Sequence, residues 1–244
     1  MEEFFIHIKA PFAAYRYFQA GNYRTTMPTI PHSAAYGLIL NFAGIEMRTA
    51  VNEMTTLIKN VVKDYSFENE DFIPSLEIAI GDIENAKKGS VYQQLHTYPV
   101  GDASKGFREG TKGAKYHIIP TRREFLVGLN TMIGVRTNLS GFMKKIQSGL
   151  NGDIENRYGL PFAGDNNLLF NFLEIYEEAI YPATWYYPVT EDEIPETETV
   201  RLTVGIDRLN NSKTTAPLFA TTKEKSLQPP PNAWVWTPKE PESI

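Results

Sequence analysis

The sequence of 244 residues contains no cysteine. This absence excludes disulfides, cysteine-ligated zinc sites and thiol catalysis, and it agrees with a reducing compartment. The sequence also lacks any run of about 18 apolar residues, the length that a membrane-spanning helix needs. The first five residues, MEEFF, are acidic where a secretory signal would be basic. We therefore expect a soluble, cytoplasmic protein with no membrane partner.

Familiar catalytic motifs are missing as well. There is no Walker loop, no G-x-S-x-G or H-E-x-x-H motif, and no dinucleotide-binding glycine pattern followed by an acid. We predict no cofactor. Asp165 begins an Asp-Asn-Asn cluster, but neither histidines nor a carboxylate motif accompany it, so turn formation or helix capping is favoured and no metal site is predicted.

The chain has no overall excess of positive charge, because its formal net charge is −5. This balance argues against a protein that coats nucleic acid indiscriminately, because the affinity of such proteins for the phosphate backbone is mostly electrostatic. The charge is unevenly distributed, with six basic residues and one acid from Lys105 to Arg123, and eight acids without lysine or arginine from Glu174 to Val200. The asymmetry predicts one face for RNA and another for solvent or a basic protein partner.

The basic segment has the pattern of a hairpin tip. Four glycines punctuate residues 101–115, namely Gly101, Gly106, Gly110 and Gly113, and strand-like runs lie on either side at Val91 to Val100 and Lys115 to Ile119. Such a tip can lie along an RNA backbone, with Phe107 inserted between bases. The alternative is a solvated loop with no ligand.

The N-terminal region combines a strand with a polar loop. Apolar residues alternate from Phe4 to Ile8, which predicts a strand that Pro11 ends. Tyrosines and arginines then stand among small and polar residues in the loop, namely Tyr15, Arg16, Tyr17, Tyr23 and Arg24. Aromatic rings stack on bases and guanidinium groups bind phosphates, so this loop is a candidate site for single-stranded nucleic acid. The alternative is an ordinary surface rim, where both residue types are common.

A very apolar helix is predicted next. Ser33 follows Pro31 and is a suitable N-cap for a helix over Ala34 to Met47. Interior glycines such as Gly37 and Gly44 each cost about 1 kcal/mol in a helix. We expect close packing against a sheet to compensate for them.

The remaining pattern is that of an α+β protein. Helical spacing covers Ala50 to Asp64, Leu139 to Leu150 and Leu168 to Ala179. Strand-like runs are Leu76 to Ile83, Glu124 to Val135, Ala183 to Val189 and Thr199 to Ile206. The proline-rich tail with Trp234 and Trp236 is expected along the surface, where the tryptophans anchor a neighbouring subunit or cover the protein's own core.

An ordered set of segments resembles a known family. The segments "APFAAYRYF", "YRTT" and "IPHSAAYGLILNFAGIE", followed by "RYGLPFAGDNN", resemble the Cas-five family of type I CRISPR effector complexes, and most closely its DevS or Myxan branch. The resemblance implies an α+β, ferredoxin-like RNA-recognition (RAMP-type) fold with a long basic β-hairpin thumb. We accordingly expect an RNA-binding domain over residues 1–155, with the thumb loop at 100–115, and a smaller β-rich extension with the tail over residues 156–244.

The resemblance also implies a role. It predicts a non-catalytic subunit that caps one end of a Cascade complex and binds the 5′ handle of the CRISPR RNA. The implied partners are that RNA, the backbone and large subunits, and target DNA indirectly. The residues expected to contact RNA are Tyr15, Arg16, Tyr23, Arg24, Ser33, Lys105, Phe107, Arg108, Lys112, Lys115, His117, Arg122, Arg123 and Arg157.

Two alternatives remain open. A metal-independent endoribonuclease can use histidine or lysine as general acid and base, and Lys115 and His117 flank Tyr116. One branch of the resembling family cleaves repeat RNA with a Tyr, Lys and His set. This chain departs from that set, because Lys115 and His117 are not adjacent and Ser33 falls about where the tyrosine would stand. The second alternative is a metabolic α+β protein with a basic loop. An absence of RNA binding would favour it.

Overall fold

The structure is a computed structural model. It describes residues 1–17, 23–49, 58–62, 64–96, 118–154, 159–190, 192, 194–207 and 210–240. The strands are β1 (Glu2–Ala13), β2 (Tyr23–Arg24), β3 (Asn60–Val62), β4 (Phe72–Pro74), β5 (Leu76–Glu84), β6 (Lys87–His96), β7 (Ile118–Thr137), β8 (Phe172–Tyr176), β9 (Thr184–Pro188), β10 (Val200–Arg201), β11 (Leu218–Thr221) and β12 (Val235–Thr237). The described helices are α1 (His32–Phe42) and α2 (Phe142–Asn151). This confirms an α+β protein. Within the described ranges, no helix has the length and apolarity to cross a membrane.

Ten of the described strands form one mostly antiparallel sheet. Its main order is β10-β11-β9-β5-β7-β1-β8, while β12 also pairs with β5, and β2 and β6 with β7. A separate pair joins β3 and β4 in parallel. Strands from both sides of residue 155 share the large sheet, since β8 lies beside β1 and β12 beside β5. The expected division at 155/156 stays a prediction.

The first strand is longer than predicted. Phe4 and Ile8 face the main core, as the alternation indicated. The expected end at Pro11 is wrong, because β1 continues to Ala13. Pairing with β8 has already stopped at Lys9, so the missing N–H of Pro11 interrupts no hydrogen bond to that strand.

The longest strand, β7, carries the sheet into a hairpin. Two predicted strands, Lys115 to Ile119 and Glu124 to Val135, are joined in it from residue 118 onward. Its second half lies between β1 and β5, and its first half pairs with β6 as far as His96 opposite Ile118. The basic tip lies outside the described residues and stays a prediction.

The first helix begins and ends earlier than predicted. Pro31 is its N-cap and Ser33 lies in the first turn, so the predicted cap is wrong. The backbone N–H of Ser33 donates instead to the carbonyl of Thr203 at 2.9 Å. The helix ends at Phe42 rather than Met47.

The two described helices pack closely. A Cβ at Gly149 of α2 would lie 1.7 Å from the carbonyl oxygen of Phe42, so only glycine permits this approach. The predicted helix over Leu139 to Leu150 is confirmed as α2, which ends before Gly152.

Two other predicted helices are wrong where the structure describes them. The end of Ala50 to Asp64 contains β3, and the rest of that segment lies largely outside the described residues. Leu168 to Ala179 contains β8, in which Leu173 and Ile175 pack against the core on one face. Pairing with β1 selects the strand. The strands at 76–83 and 183–189 are confirmed as β5 and β9, whereas only Val200–Arg201 is a strand within 199–206.

The proline-rich tail joins the core instead of lying along the surface. A 3₁₀ turn at Pro231–Ala233 leads into β12, which pairs with β5. The ring of Trp234 lies 6.5 Å from that of Phe5, and the guanidinium of Arg136 lies 3.8 Å from its centroid. Trp234 therefore covers the protein's own core.

A buried carboxylate ties several segments together. Asp82 Oδ1 accepts hydrogen bonds from Thr29 at 2.7 Å and Thr131 at 2.9 Å, and Oδ2 accepts one from the Tyr186 hydroxyl at 2.9 Å. Burial raises the pKa of Asp82 to about 6, although these three hydrogen bonds act to lower it.

A buried histidine begins α1. The ring of His32 stacks on Phe219 with centroids 4.8 Å apart. Neither ring nitrogen has a hydrogen-bond partner among the described residues. Burial lowers the pKa of His32 to about 3, so this histidine is neutral at physiological pH.

Candidate nucleic-acid interface

A short parallel pairing brings the two arginine-bearing segments together. Tyr23 of β2 lies opposite Arg122 of β7, and Arg24 lies opposite Arg123. Successive side chains of a strand point to opposite faces. The four residues are therefore divided between two surfaces, one with Tyr23 and Arg122 and the other with Arg24 and Arg123.

The surface with Arg123 is an arginine cleft, which we define by Arg16, Arg24, Arg123 and Asp165. The Asp165 side chain is 8% exposed, and its Oδ2 forms an ion pair with Arg123 and lies 3.5 Å from Arg16 Nη2. Burial and the neighbouring charges of Arg16 and Arg24 lower the pKa of the Arg123 guanidinium, which nevertheless stays charged. Among the described residues, three cations share this region with one carboxylate, so these residues retain positive charge that can bind a phosphate.

A tight turn places Asp165. Gly164 adopts φ +82, and a Cβ at this position would lie 2.3 Å from the carbonyl oxygen of Ala14. The backbone N–H of Ala14 in turn donates to the carbonyl of Ala163 at 3.0 Å. Only glycine fits this approach of the turn to the end of β1. Sequence reasoning assigned Asp165 to a turn or cap and missed its ion pairs with Arg16 and Arg123. No sequence pattern connects these three residues.

Tyr15 does not offer a stacking surface in this structure, contrary to the sequence prediction. It is 3% exposed and packs in the main core. Its backbone N–H donates to Thr26 Oγ1 at 3.0 Å, and its carbonyl accepts from the N–H of Met27 at 2.7 Å. The two described ends of the predicted loop are thus hydrogen-bonded to each other. Arg16, the next residue of the loop after Tyr15, is exposed to solvent at 58%.

The opposite surface is an aromatic row, which we define by Tyr23, Arg122 and Tyr92. Arg122 lies opposite both tyrosines in the register of β2, β7 and β6. Its guanidinium lies 5.4 Å from the ring centroid of Tyr23 and donates to Ser90 Oγ at 3.2 and 3.3 Å. Tyr23 is 42% exposed and Tyr92 76%. Sequence reasoning did not select Tyr92.

Glu124 holds Tyr23 in place within this row. The Tyr23 hydroxyl donates to Glu124 Oε1 at 2.5 Å, and the N–H of Thr26 donates to Oε2 at 3.2 Å. Burial raises the pKa of Glu124, but these hydrogen bonds and the charges of Lys88 and Arg122 together hold it below its usual value. The carboxylate is therefore ionised, and it orients the ring.

Two cavities adjoin the arginine cleft. The first, of about 580 Å³, is lined by Arg16, Asp165, Ser33 and Phe162 among others. The second, of about 860 Å³, is an apolar groove along α1, whose wall includes Phe162 and the residues Gly37, Leu160, Leu169 and Ile206. Phe162 and Ser33 line both cavities, so the charged and apolar spaces are contiguous.

The structure brings together six of the predicted contact residues around these surfaces, namely Arg16, Tyr23, Arg24, Ser33, Arg122 and Arg123. The other predicted contact residues besides Tyr15 lie outside the described residues, namely Lys105, Phe107, Arg108, Lys112, Lys115, His117 and Arg157. Among the residues with described side chains, no three histidine, aspartate or glutamate groups are placed to share a metal ion.

Comparisons with known proteins identify the fold. No protein-family model and no curated protein matches the sequence. A solved chain described as "CRISPR RNA-guided surveillance complex" is similar with a TM-score of 0.58 and 11% identity, over 92% of this chain and 90% of that chain. Another solved structure, described as "Crystal structure of Cas protein", aligns with a TM-score of 0.44 and 11% identity, over 98% and 100% of the two chains. This protein therefore has the fold of a chain from a CRISPR RNA-guided surveillance complex.

Proposed function

We propose that this protein is a non-catalytic, Cas-five-type subunit of a type I CRISPR surveillance complex, in which it binds and caps the 5′ handle of the CRISPR RNA. The arginine cleft is the observation that carries the proposal. Arg16 and Arg123 form ion pairs with one carboxylate that is 8% exposed, and Arg24 lies near enough to Arg123 to lower its pKa, on a chain with the fold of a surveillance-complex chain. The sequence resemblance to the Cas-five family supports the same role.

The cleft suits a phosphate backbone. Guanidinium groups bind phosphate oxygens in a bidentate manner, and such contacts fix the register of a nucleic acid on a protein. Asp165 holds Arg123 and Arg16 in position while it neutralises only part of their charge. The aromatic row on the other face adds exposed tyrosines, on which unpaired bases can stack.

The rest of the proposed arrangement follows from the family resemblance. The thumb loop at 100–115 crosses the handle with its basic residues, in a ferredoxin-like RNA-recognition fold. The backbone and large subunits are the protein partners, and target DNA is contacted through the assembled complex. The complex acts in the cytoplasm.

The test is to incubate the purified protein, without metal, with a labelled CRISPR repeat RNA and with its 5′-handle fragment. We expect binding that depends on the handle and leaves the RNA intact. Arg16→Ala and Arg24→Ala should weaken binding, whereas Arg136→Ala, at the opposite end of β7 from Arg123, should not. Specific cleavage that His117→Ala abolishes would instead establish the endoribonuclease alternative. Absence of both binding and cleavage, with partner subunits present, would contradict the family assignment.

A further inference from the structure

We propose that the apolar groove along α1 receives one unpaired base of the RNA strand whose phosphates bind the arginine cleft. This inference rests on the proposed function and names a base-binding pocket within it. Three observations carry it, namely the exposed apolar wall, the junction at Phe162 and the open space at Gly37.

The wall of the groove exposes large apolar side chains. Leu160 is 67% exposed, Leu169 51%, Phe162 46% and Ile206 46%. All four line one cavity of about 860 Å³, which lies within the range of small-ligand pockets. A contiguous apolar surface that is exposed on a soluble protein usually marks a binding site.

The groove is joined to the charged cleft, and this determines the kind of ligand. Phe162 and Ser33 line both cavities, and Arg16 and Asp165 line the charged one. A ligand with a negative group for Arg16 beside an apolar, flat group for the groove would occupy both spaces. A nucleotide has this composition, with its phosphate near Arg16 and its base against the Phe162 ring. Ser33 places a hydroxyl at the junction, where it can meet the sugar or the base edge.

Gly37 keeps the groove open. Glycine is unfavourable in a helix interior, and it is usually retained for a special backbone conformation or a close contact. Gly37 lies within α1, and a Cβ built on it has no atom within 4 Å among the described residues. Among the described residues, nothing packs closely on Gly37, contrary to the expectation from the sequence. Gly149 offers the contrast, because its missing side chain makes room for the Phe42 carbonyl. The space at Gly37 instead belongs to the groove.

The experiment places a fluorescent base at each handle position in turn. The 5′-handle RNA carries a single 2-aminopurine, whose fluorescence falls when it stacks, and it is titrated with the full chain. We expect the fluorescence to fall on binding at one position whose base enters the groove, besides any position whose base stacks on the aromatic row. Phe162→Ala should remove that change and weaken affinity about tenfold, as loss of one base–aromatic stack does.

Gly37→Leu is the second variant. A Cβ at this position has no described atom within 4 Å, so the side chain extends into the groove, and leucine has better helix propensity than glycine. Gly37→Leu should remove the same fluorescence change, whereas Gly37→Ala should leave it largely intact. Thermal unfolding followed by circular dichroism checks that both variants fold.

The outcomes separate this inference from the proposed function. If the wild type does not bind the handle RNA, the proposed function fails and the inference falls with it. If the wild type binds but Phe162→Ala removes the change at no position, or Gly37→Leu responds as the wild type does, only the base pocket is overturned. If Gly37→Leu leaves RNA binding and fluorescence unchanged but weakens association with partner subunits, the groove binds protein and the inference is wrong.

Discussion

Asp165 and Arg123 form an ion pair in which both side chains are largely withdrawn from solvent, at 8% and 15% exposure. The pair joins the turn after Gly164 to the hairpin half of β7. Because the attraction between partly buried charges is screened less than that of surface charges, loss of one partner leaves the other poorly compensated.

We expect Asp165→Asn to lower the free energy of unfolding by roughly 2 kcal/mol, the scale of a hydrogen bond to a charged group. Urea unfolding at neutral pH measures the change. Asp71→Asn is the matched control, because Asp71 is exposed and its replacement should change stability by less than about 0.5 kcal/mol. Equal effects of the two substitutions would show that the ion pair does not stabilise the fold.

Arg16 should act on RNA rather than on stability. It is 58% exposed and lies 3.5 Å from Asp165, so Arg16→Ala should leave the unfolding free energy nearly unchanged. Handle affinity should fall, and the slope of log affinity against log salt should decrease by about 0.7 for each lost contact with single-stranded phosphate. Binding titrations at several salt concentrations measure both quantities. A salt slope identical to that of Arg136→Ala would remove Arg16 from the interface.

Asp82 should make stability fall as pH rises. Its pKa is raised from an ordinary value near 4 to about 6, so between these pH values the folded state binds more protons than the unfolded state. Stabilisation from this group is complete below about pH 4 and is lost as pH rises through 6, by on the order of 3 kcal/mol. Asp82→Asn should remove this component, which urea unfolding from pH 4 to 8 would reveal as a difference in slope from the wild type. If the stabilities of the variant and the wild type changed with pH in parallel, the raised pKa of Asp82 would be contradicted.

His32 should have the opposite effect. Burial lowers its pKa from about 6.5 to about 3, so below pH 6.5 the unfolded state takes up a proton that the folded state does not. Stability therefore falls as pH falls, by roughly 2 kcal/mol between pH 7 and pH 5. His32→Leu should lose this acid sensitivity and pack against Phe219 in its place. The prediction fails if the variant and the wild type lose the same stability between those pH values.

Periodicity and turn residues predicted much of the fold. The runs now seen as β5, β9 and α2 carried clear signals of alternation, helical spacing or a terminal glycine. The segment from Leu168 to Ala179 was misassigned because helix and strand spacing both fit its apolar residues, and pairing with β1 decides between them. The same limit applies at Tyr15, whose burial depends on the core beneath the end of β1.

The sequence indicated which residue types form the candidate site, but it did not indicate how they are arranged in space. Arg16, Arg24, Arg122 and Arg123 were selected because arginine binds phosphate, but their grouping depends on the parallel pairing of β2 with β7. No local pattern predicts a pairing between segments about a hundred residues apart. Asp165 and Tyr92 were missed for this reason, since each gains its role from neighbours distant in sequence.

The pairing of β12 with β5 sets an order of events for a chain that emerges from the ribosome. Residues 235–237 complete a strand edge next to Leu76–Ile78 and bring Trp234 over Phe5. β1 and β5 are therefore synthesised long before β12. The apolar surface at Phe5, which Trp234 covers in the folded protein, stays uncovered during that interval. Contacts of such long sequence separation slow folding and prolong the exposure of aggregation-prone surface. During synthesis, that surface therefore stays exposed until residues 235–237 have been added to the chain.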